Sequence, residues 1–273
     1  MRITERSGDE GRLVRTALDD GADTIAVLGG DGTWSKCAAA LAASGADARL
    51  AFLRGGTGND FAKNFPAPAH DFAAMARLVA DGGEEWRVDM GQVESGNSAD
   101  WFLNVLGFGF DVAVLEQLVG KGALTGRAVY VAAALRQLLR FPGLELAPDA
   151  RHVAARRVMM LVVSNGLNFG GAFRIAPGAR VDDGLLDLVQ IGDVRGFSRI
   201  PLFVRALRGA HVSHDRVTGA RANAFTLRFT FPQAYEVDGE LRPADSTEVL
   251  VRCVPGAIRV LAASPASRRP SSV

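Results

Sequence analysis

The chain has 273 residues, of which 48% are hydrophobic and 22% charged, with a net charge of +1 and a mean hydropathy of +0.11. These values allow two domains with sizeable cores and exclude a disordered protein. The near-neutral charge gives no reason to expect nucleic acid as a partner. No apolar run approaches the roughly 20 residues that cross a bilayer, and residues 1–12 lack the apolar centre of a signal peptide. We therefore expect a cytoplasmic protein without a transmembrane segment.

Strands and helices alternate over the first ninety residues or so. Strands are expected over residues 24–28, as a buried strand, and 49–53, and helices over 33–44, from about 59, and over 71–80. A glycine-rich loop follows each strand. This βαβα order predicts a parallel sheet covered by helices.

The texture of the sequence changes near Trp86, where short strands with turn signals begin to dominate. They predict a mostly antiparallel, sandwich-like second domain, interrupted by helices over 125–139 and 197–207. We expect an α/β first domain and a β-rich second domain, followed by a disordered tail. The expected bounds are 1–87, completed by 254–263, then 88–253, then 264–273.

The first glycine-rich loop, GGDGT at residues 29–33, joins a predicted strand to a predicted helix. Glycines let the backbone approach a ligand closely, and the helix N-terminus, which Thr33 is placed to cap, favours phosphate. The Asp31 carboxylate would repel a phosphate unless a cation lay between them. We therefore expect Mg²⁺ and a nucleotide here, rather than only a tight Gly-Gly turn.

The second glycine-rich loop, GGTGNDFA at residues 55–62, again follows a predicted strand. Because consecutive strands of a parallel sheet end side by side, the two loops should form one crevice. Thr57 and Asn59 offer hydrogen bonds there, and Asp60 offers a second carboxylate near Asp31.

A third acid, Asp89, follows a short strand that could bring it to the same place. The chain has no GxxxxGK[ST] loop, no GxGxxG followed by a ribose-binding acid and no protein-kinase motif set. These absences exclude the corresponding nucleotide sites.

Further segments extend this pattern along the chain. The two loops are followed by SNGLNFGGAFRIAPGARVDDGLLDLV at 164–189, EVDGE at 236–240 and VPGAIRVL at 254–261. In this order they resemble the bacterial diacylglycerol kinases, whose catalytic domain is shared with sphingosine kinases and related lipid kinases. The resemblance spans nearly the whole chain. It implies an ATP- and Mg²⁺-dependent lipid kinase.

The resemblance also implies roles for individual residues. It implies a nucleotide site at Thr4, Gly29, Gly30, Asp31, Gly32, Thr33, Trp34, Ser35, Thr57, Gly58 and Asn59. It implies a catalytic Mg²⁺, held largely through water, at Asp31, Asp60 and Asp89. It implies a structural Mg²⁺ at Asp183 and the backbone carbonyls of Arg180 and Leu185. It implies catalytic roles for Asp31 and for Glu240, the general base.

The chemistry supports a base at Glu240 independently. Transfer of a γ-phosphoryl group to an alcohol needs an acceptor for the hydroxyl proton. EVDGE lies in the second domain, so a base there would face the nucleotide across an interdomain cleft. By themselves, Asp238-Gly239 and Asp183-Gly184 also fit ordinary turns.

The chain departs from the family pattern at two places. The family begins with a strand and an Asn-Pro loop, and the sequence as given starts too close to Gly29 to include them, as a misplaced start or a fragment would. We therefore expect an unstable or poorly active chain. Ser35 and Lys36 stand where the family usually has Asn and Glu. Ser35 can still bind a nucleotide, whereas Lys36 reverses a charge.

Three functions stay open at this point. The leading one is phosphorylation of a membrane lipid alcohol, diacylglycerol-like, by an enzyme peripheral to the inner face of the membrane. A kinase of a soluble acceptor is the alternative, since GGDG loops also occur in relatives of NAD kinase and phosphofructokinase. A catalytically dead lipid-binding relative is the third. Neither the acceptor lipid nor the oligomeric state, a homodimer included, can be determined from the sequence.

Two basic segments also have two interpretations. Between residues 195 and 221, six arginines and two histidines stand against the single acid Asp215. This segment predicts either a solvated basic face or a surface for anionic lipid head groups or substrate phosphate. The segment 126–140 has an apolar face with arginines at its ends, which fits either core packing or membrane contact.

Overall fold

The computed structural model describes residues 1–6, 8–65, 72–81, 83–118, 136–147, 157–194 and 196–262. The helices are α1 Asp9–Asp19, α2 Asp31–Ser44, α3 Phe72–Ala80, α4 Phe110–Leu118 and α5 Arg199–Ala206, with 3-10 turns at Phe61–Asn64, Gly196–Ser198 and Ala210–Ser213. The strands are β1 Thr24–Gly29, β2 Arg49–Arg54, β3 Glu84–Ser95, β4 Ser98–Phe102, β5 Val105–Gly109, β6 Leu144–Glu145, β7 Arg157–Ser164, β8 Leu186–Gly192, β9 Val217–Ala222, β10 Ala224–Arg228, β11 Tyr235–Val237, β12 Glu240–Arg242 and β13 Glu248–Ala262.

Some predictions fall on residues outside these ranges. They concern the tail over 264–273 and the helix over 125–139, of which only the last residues are described; residues 136–140 are helical. Within the described part of the chain, no helix combines the length and apolar character needed to span a bilayer.

The first sheet has the strand order β1-β2-β13-β3-β4, with β10 beside β13. β1 is parallel to β2, and β13 is parallel to β2 through residues 259–261, so the predicted parallel sheet is confirmed. Leu50 and Val260 of this sheet pack with Trp34 and Leu41 of α2 in one core. The helix therefore rests on the sheet and its first turn lies at the strand ends.

The prediction that β1 is a buried strand is wrong. Leu28 is 55% exposed and only Val27 is buried in this strand. Among the described residues, β1 has a single strand neighbour, β2, and lies at the edge of the sheet. A parallel strand is buried on both faces only where helices cover both faces of the sheet.

Two long strands, β3 and β13, join the two halves of the molecule. They pair antiparallel along most of their length, with a register shift between Val254 and Ile258. Pro255 lies inside this shift, where a residue without an N–H group is tolerated. One end of the pair continues the parallel sheet, and the other end pairs with β4 and β10.

The second sheet has the order β12-β11-β5-β7-β8-β9, with β6 beside β7, and its pairings are antiparallel. Its inner face packs on β3, β10 and β13 through Phe108, Leu161, Val93 and Phe225, which confirms the predicted sandwich. Apolar residues of α4, of the helical residues 136–140 and of α5 pack on its other face.

The segment WFLNVLGFGF forms two strands in different sheets. β4 ends at Phe102 in the first sheet and β5 begins at Val105 in the second. The amides of residues 103, 104 and 105 donate to the carboxylate of Asp238 at 2.7, 2.9 and 2.8 Å. This anchor holds the crossing point of the chain against the turn between β11 and β12.

Candidate active site

The two glycine-rich loops lie against each other, as predicted. The amide of Gly55 donates to the carbonyl of Gly29 at 2.8 Å. A Cβ built on Gly56 would lie 2.5 Å from the Cα of Gly30, closer than real atoms approach. Because a side chain at this point would push the two backbones apart, the sequence has glycine there.

Helix α2 begins at Asp31, two residues earlier than predicted, with Gly30 at its N-cap. The prediction that Thr33 caps this helix is wrong, because Thr33 already lies in the first turn and no side chain makes a capping bond. Its side chain lies against Gly29 instead. Asp31 stands in the first turn, where the helix dipole favours a carboxylate. One of its oxygens accepts the amide of Phe61 at 3.0 Å.

The carboxylates of Asp31 and Asp60 face the same small space. Their Oδ2 atoms lie 3.1 and 3.7 Å from the position that a Cβ of Gly58 would occupy. Asp60 also accepts the Lys63 ammonium at 2.5 Å and the Gly171 amide at 2.6 Å. The second loop is therefore tied to a turn of the second sandwich sheet, and two acids meet beside a glycine.

An open cleft extends from these acids toward the second sheet. Polar groups from the loops and from the sandwich line it together: Asp31, Ser35, Thr57, Gly58, Asp60, Asn104, Gly171, Asp238 and Gly239. Leu103, Leu115 and Phe169 give it an apolar side. The cleft is thus bounded by both halves of the molecule, as a two-substrate site requires.

Asp238 connects the two halves at the edge of this cleft. Its Oδ2 accepts the hydroxyl of Ser35, on α2, at 2.5 Å. Burial raises the pKa of Asp238, while the bonds from Ser35 and from the amides of residues 103–105 act in the opposite direction. Asp238 and Gly239 have φ of 48° and 88° and form the hairpin turn between β11 and β12. Asp238-Gly239 is therefore a turn in structure as well as a wall of the cleft.

Glu240 lies in a recess next to the cleft, and Ser35 and Asp238 line both cavities. The Lys36 ammonium is 2.5 Å from one of its oxygens, and the Arg242 guanidinium is 3.1 Å from the other. Burial by itself would raise the pKa of Glu240, but the bonds from Lys36 and Arg242 outweigh it and lower the pKa. Glu240 is therefore held in its ionised form.

A second pair of acids, Asp111 and Glu236, is buried under the hairpin. Asp111 Oδ2 and Glu236 Oε1 lie 1.7 and 2.8 Å from the position that a Cβ of Gly107 would occupy, so a glycine makes room for both. Burial raises the pKa of Asp111 to about 7 and, with the charge of Asp111, raises that of Glu236 well above its usual value. Glu236 Oε2 accepts the Gly239 amide at 2.6 Å.

Three predicted nucleotide residues do not line the cleft, and their part in nucleotide binding stays a prediction. Trp34 is fully buried in the core and donates to the carbonyl of Val27 at 3.3 Å, so its side chain is not available to a nucleotide. Asn59 has a φ of 47° and its side chain bonds the backbone of Gly56 in both directions. It shapes the loop. Thr4 is exposed ahead of α1, and neither cavity is lined by it.

Asp89 is not among the residues that line the cleft, and its predicted share in a water-bridged Mg²⁺ site stays a prediction. Its carboxylate accepts the amides of Gly184 and Gly256 at 2.6 and 2.8 Å. The Asp183 carboxylate forms an ion pair with the Arg221 guanidinium at 2.5 Å. Among the described residues, acidic, histidine and cysteine side chains form no metal-holding group of three or more. A role of Asp183, Arg180 and Leu185 in holding a structural Mg²⁺ stays a prediction.

Sequence reasoning assigned no role to several residues of the site: Lys63, Asn104, Asp111, Gly171 and Glu236. A signal existed for Asn104 and Asp111, because they are the polar interruptions of the apolar run over 102–115. Both are buried. A buried polar residue inside an apolar run needs a partner or a function.

A small apolar cavity of about 50 Å³ adjoins the cleft. Apolar side chains of β7, β8, α4, α5 and the 169–175 loop line it: Phe110, Val114, Met159, Met160, Phe169, Phe173, Ile175, Ile191, Leu202, Phe203 and Ala206. Asp111 is its one charged lining residue among those described. Phe169 lines this cavity and the cleft, so the two adjoin at that ring. Its lining suits hydrocarbon, and a space of this size holds only a short piece of an acyl chain.

The remaining donor set fits one Mg²⁺. This ion keeps several waters and is usually bound through one or two carboxylates together with substrate phosphates. Asp31 and Asp60 supply two carboxylates at one place, beside the helix N-terminus that favours phosphate. The arrangement can bind a polyphosphate and bring it close to an apolar compound.

Family models match most of the chain. Residues 1–93 match the diacylglycerol kinase catalytic domain, and residues 104–262 match the YegS C-terminal NAD kinase beta sandwich-like domain. The second match covers more than half of the sequence.

Curated relatives and a solved structure agree with these models. A diacylglycerol kinase of Mycobacterium tuberculosis (strain CDC 1551 / Oshkosh) is 31% identical over 93% of this chain and 81% of its own length. A Xanthomonas euvesicatoria pv. vesicatoria (strain 85-10) protein named "Probable lipid kinase YegS-like" is 31% identical over 95% of this chain and 85% of its own length. A crystal structure of a diacylglycerol kinase from Bacillus anthracis str. Sterne shares the fold, with a TM-score of 0.67 and 20% identity over 96% of this chain and 84% of that one. The chain therefore belongs to the lipid kinase family that has the diacylglycerol kinase catalytic domain and includes the YegS-like proteins.

Proposed function

We propose that this chain transfers the γ-phosphoryl group of ATP to the hydroxyl group of a diacylglycerol-like membrane lipid, with Mg²⁺. The carrying observation is that the cleft between the glycine-rich loops and the sandwich adjoins the apolar cavity at Phe169. A phosphate donor and a hydrocarbon acceptor can therefore occupy neighbouring sites.

The nucleotide occupies the crevice of the two loops in this proposal. The first turn of α2, which begins at Asp31, points its amides into the crevice, and helix N-termini favour phosphate. Thr57 is exposed on the cleft and can donate a hydrogen bond. Asp31 and Asp60 would hold Mg²⁺, which would neutralise the charge on the transferred group.

The acceptor lipid places a short part of an acyl chain in the apolar cavity and its hydroxyl group in the cleft. The hydroxyl oxygen attacks the γ-phosphorus, the bond to the bridging oxygen of ADP breaks, and the hydroxyl proton passes to a carboxylate. We propose Glu240 as that carboxylate, because Lys36 and Arg242 keep it ionised. Asp31 is the competing candidate, since it lies in the cleft itself.

We further propose that the enzyme works in the cytoplasm, at the inner face of the membrane. Its acceptor would be an alcohol that stays in the bilayer. The apolar cavity can shelter only part of such a lipid, so the protein would have to reach the membrane surface without crossing it.

A transfer assay tests the proposal. The purified protein is incubated with Mg²⁺ and ATP labelled in the γ-phosphate, together with detergent-solubilised diacylglycerol, phosphatidylglycerol or a sphingoid base, and in parallel with NAD or a sugar. Label should appear in a lipid and in none of the soluble acceptors. Label in NAD or sugar alone would make the chain a kinase of a soluble acceptor.

A further inference from the structure

Helix α5 and its flanking turns expose a stripe of large apolar side chains, which we call the α5 stripe: Phe197, Ile200, Val204 and Leu207. They are 78, 41, 50 and 41% exposed. Their spacing of three, four and three residues places them along one side of the helix. Scattered exposed apolar residues need no explanation, but a contiguous row marks an interaction surface.

Positive charge borders the α5 stripe. Arg205 and Arg208 are exposed within and just after the helix, and Arg216 is exposed close behind in the chain. The single acid of this stretch, Asp215, contacts His214 at 2.8 Å. A row of apolar side chains beside arginines complements a surface that is apolar inside and anionic outside, which describes a bilayer that contains anionic phospholipid.

The opposite side of the same helix lines the apolar cavity. Leu202, Phe203 and Ala206 face that cavity, while the α5 stripe faces outward. The helix is anchored at its start, because the buried Arg199 donates to the carbonyl of Leu138 at 2.8 Å. One short helix therefore separates the cavity from the exposed apolar surface.

We infer that the α5 stripe and its arginines dock the protein on an anionic phospholipid bilayer. The inference rests on the proposed function, since the cavity behind the helix would then open close to the bilayer from which the acceptor comes. Phe197 and Leu207 insert among the acyl chains, and Arg205 and Arg208 contact the head-group phosphates.

Vesicle sedimentation with the full chain tests this docking. Vesicles of phosphatidylcholine, with or without phosphatidylglycerol, are mixed with the wild type, with Phe197→Ser/Leu207→Ser, or with the control Phe231→Ser/Leu250→Ser. The control removes the same residue types at 66 and 43% exposure, and Leu250 lies on the first sheet, away from α5. The α5 variant should lose roughly tenfold or more in binding to the anionic vesicles, and the control should match the wild type.

A charge variant gives an independent reading. Arg205→Gln/Arg208→Gln should bind anionic vesicles roughly tenfold more weakly than the wild type and should bind phosphatidylcholine vesicles equally well. Added salt should likewise weaken the binding of the wild type to anionic vesicles. The inference would be overturned if the wild type bound neither kind of vesicle, or if the α5 variants bound as tightly as the wild type. A wild-type dimer that Phe197→Ser/Leu207→Ser converts to a monomer, without vesicle binding, would assign the stripe to a second copy and overturn it as well.

Failure of the docking and failure of the kinase proposal are distinguishable. Vesicle binding needs no nucleotide, so it can persist in a protein that transfers no phosphate. Conversely, Phe197→Ser/Leu207→Ser should keep wild-type transfer to a short-chain, water-dispersed diacylglycerol while it loses transfer to the same head group in vesicles. Equal loss on both substrates would refute a docking role.

Discussion

The crevice of the glycine-rich loops and the β11–β12 hairpin use acidic residues in different ways. In the crevice, Asp31 and Asp60 line the cleft beside each other, although each also accepts one backbone amide and Asp60 accepts the Lys63 ammonium. In the hairpin, Glu236 and Asp238 are buried: they accept backbone amides, and Glu236 also faces another carboxyl group. Asp238 and Glu240 both line the recess, but Asp238 accepts Ser35 and three backbone amides, whereas Glu240 is held by the side chains of Lys36 and Arg242. Most residues of the EVDGE motif therefore shape the turn, and one is left for chemistry.

The strongest test of this contrast is Glu240→Gln. If Glu240 accepts the hydroxyl proton, transfer should fall roughly 10²–10⁴-fold, while ATP affinity stays unchanged. Asp100→Asn is the matched control, because Asp100 contacts Arg242 in the same recess. A steady-state transfer assay measures both. Full activity in Glu240→Gln together with an inactive Asp31→Asn would move the base to the crevice.

The packing of the two loops can be tested with glycine substitutions. Gly56→Ala places a methyl group 2.5 Å from the Gly30 backbone, and we expect a loss of about 1–3 kcal/mol in unfolding free energy. Gly32→Ala is the control, because a Cβ there meets nothing within 4 Å. Thermal unfolding of the two variants should differ by several degrees. Equal midpoints would show that the loops do not need their close contact.

The buried acids predict an unusual pH dependence of stability. Burial raises the pKa of Asp111 to about 7 from its ordinary value of 3.8. The folded protein then keeps a proton that the unfolded chain releases, so the contribution of Asp111 falls as pH rises from about 4 to about 7. Asp111→Asn cannot ionise. Its unfolding temperature relative to the wild type should therefore be higher at about pH 8 than at about pH 5.

The acidic neighbours of Asp111 affect how much of the pH dependence the Asp111→Asn variant should lose. Glu236 faces it, and Asp238 adds charge nearby. Both remain in the variant, so part of the pH dependence persists. A wild type and an Asp111→Asn protein with parallel stability curves would show that Asp111 is ionised, or exposed, in the folded state.

Lys36 should have the smallest effect. Lys36→Met removes one of the two cations that hold Glu240 ionised, so the pKa of Glu240 should rise. The acid limb of the pH–rate profile should then move upward by about one unit. In a Glu240→Gln background, the same substitution should leave the residual profile unchanged. A shift that persists there would belong to another group.

The fold follows from local patterns to a large extent. Alternation of strands and helices predicts the parallel sheet, and consecutive strand ends predict contact between the two loops, which the Gly55–Gly29 bond confirms. The split of WFLNVLGFGF between two sheets is not predictable from periodicity. It depends on Asp238, more than a hundred residues away, which binds the amides at the crossing point.

The site is less predictable, for the same reason. Asp31 and Asp60 are found from their glycine-rich surroundings, because a carboxylate in an anion loop is chemically odd. Asp89 has no such signature, and its distant amide donors, Gly184 and Gly256, decide where it lies. The pairing of Asp111 with Glu236 is likewise created by a β5–β11 contact. Long-range contacts of this kind leave no mark in a short motif.

Calorimetric titration of ATP into the folded protein, with and without Mg²⁺, tests most directly whether the glycine-rich crevice is a metal–nucleotide site. We expect ATP to bind roughly tenfold or more tightly when Mg²⁺ is present, and Asp31→Asn to abolish that difference. ATP affinity that is the same with and without the metal, or no binding at all, would contradict the proposed role of Asp31 and Asp60 and with it the proposed kinase mechanism.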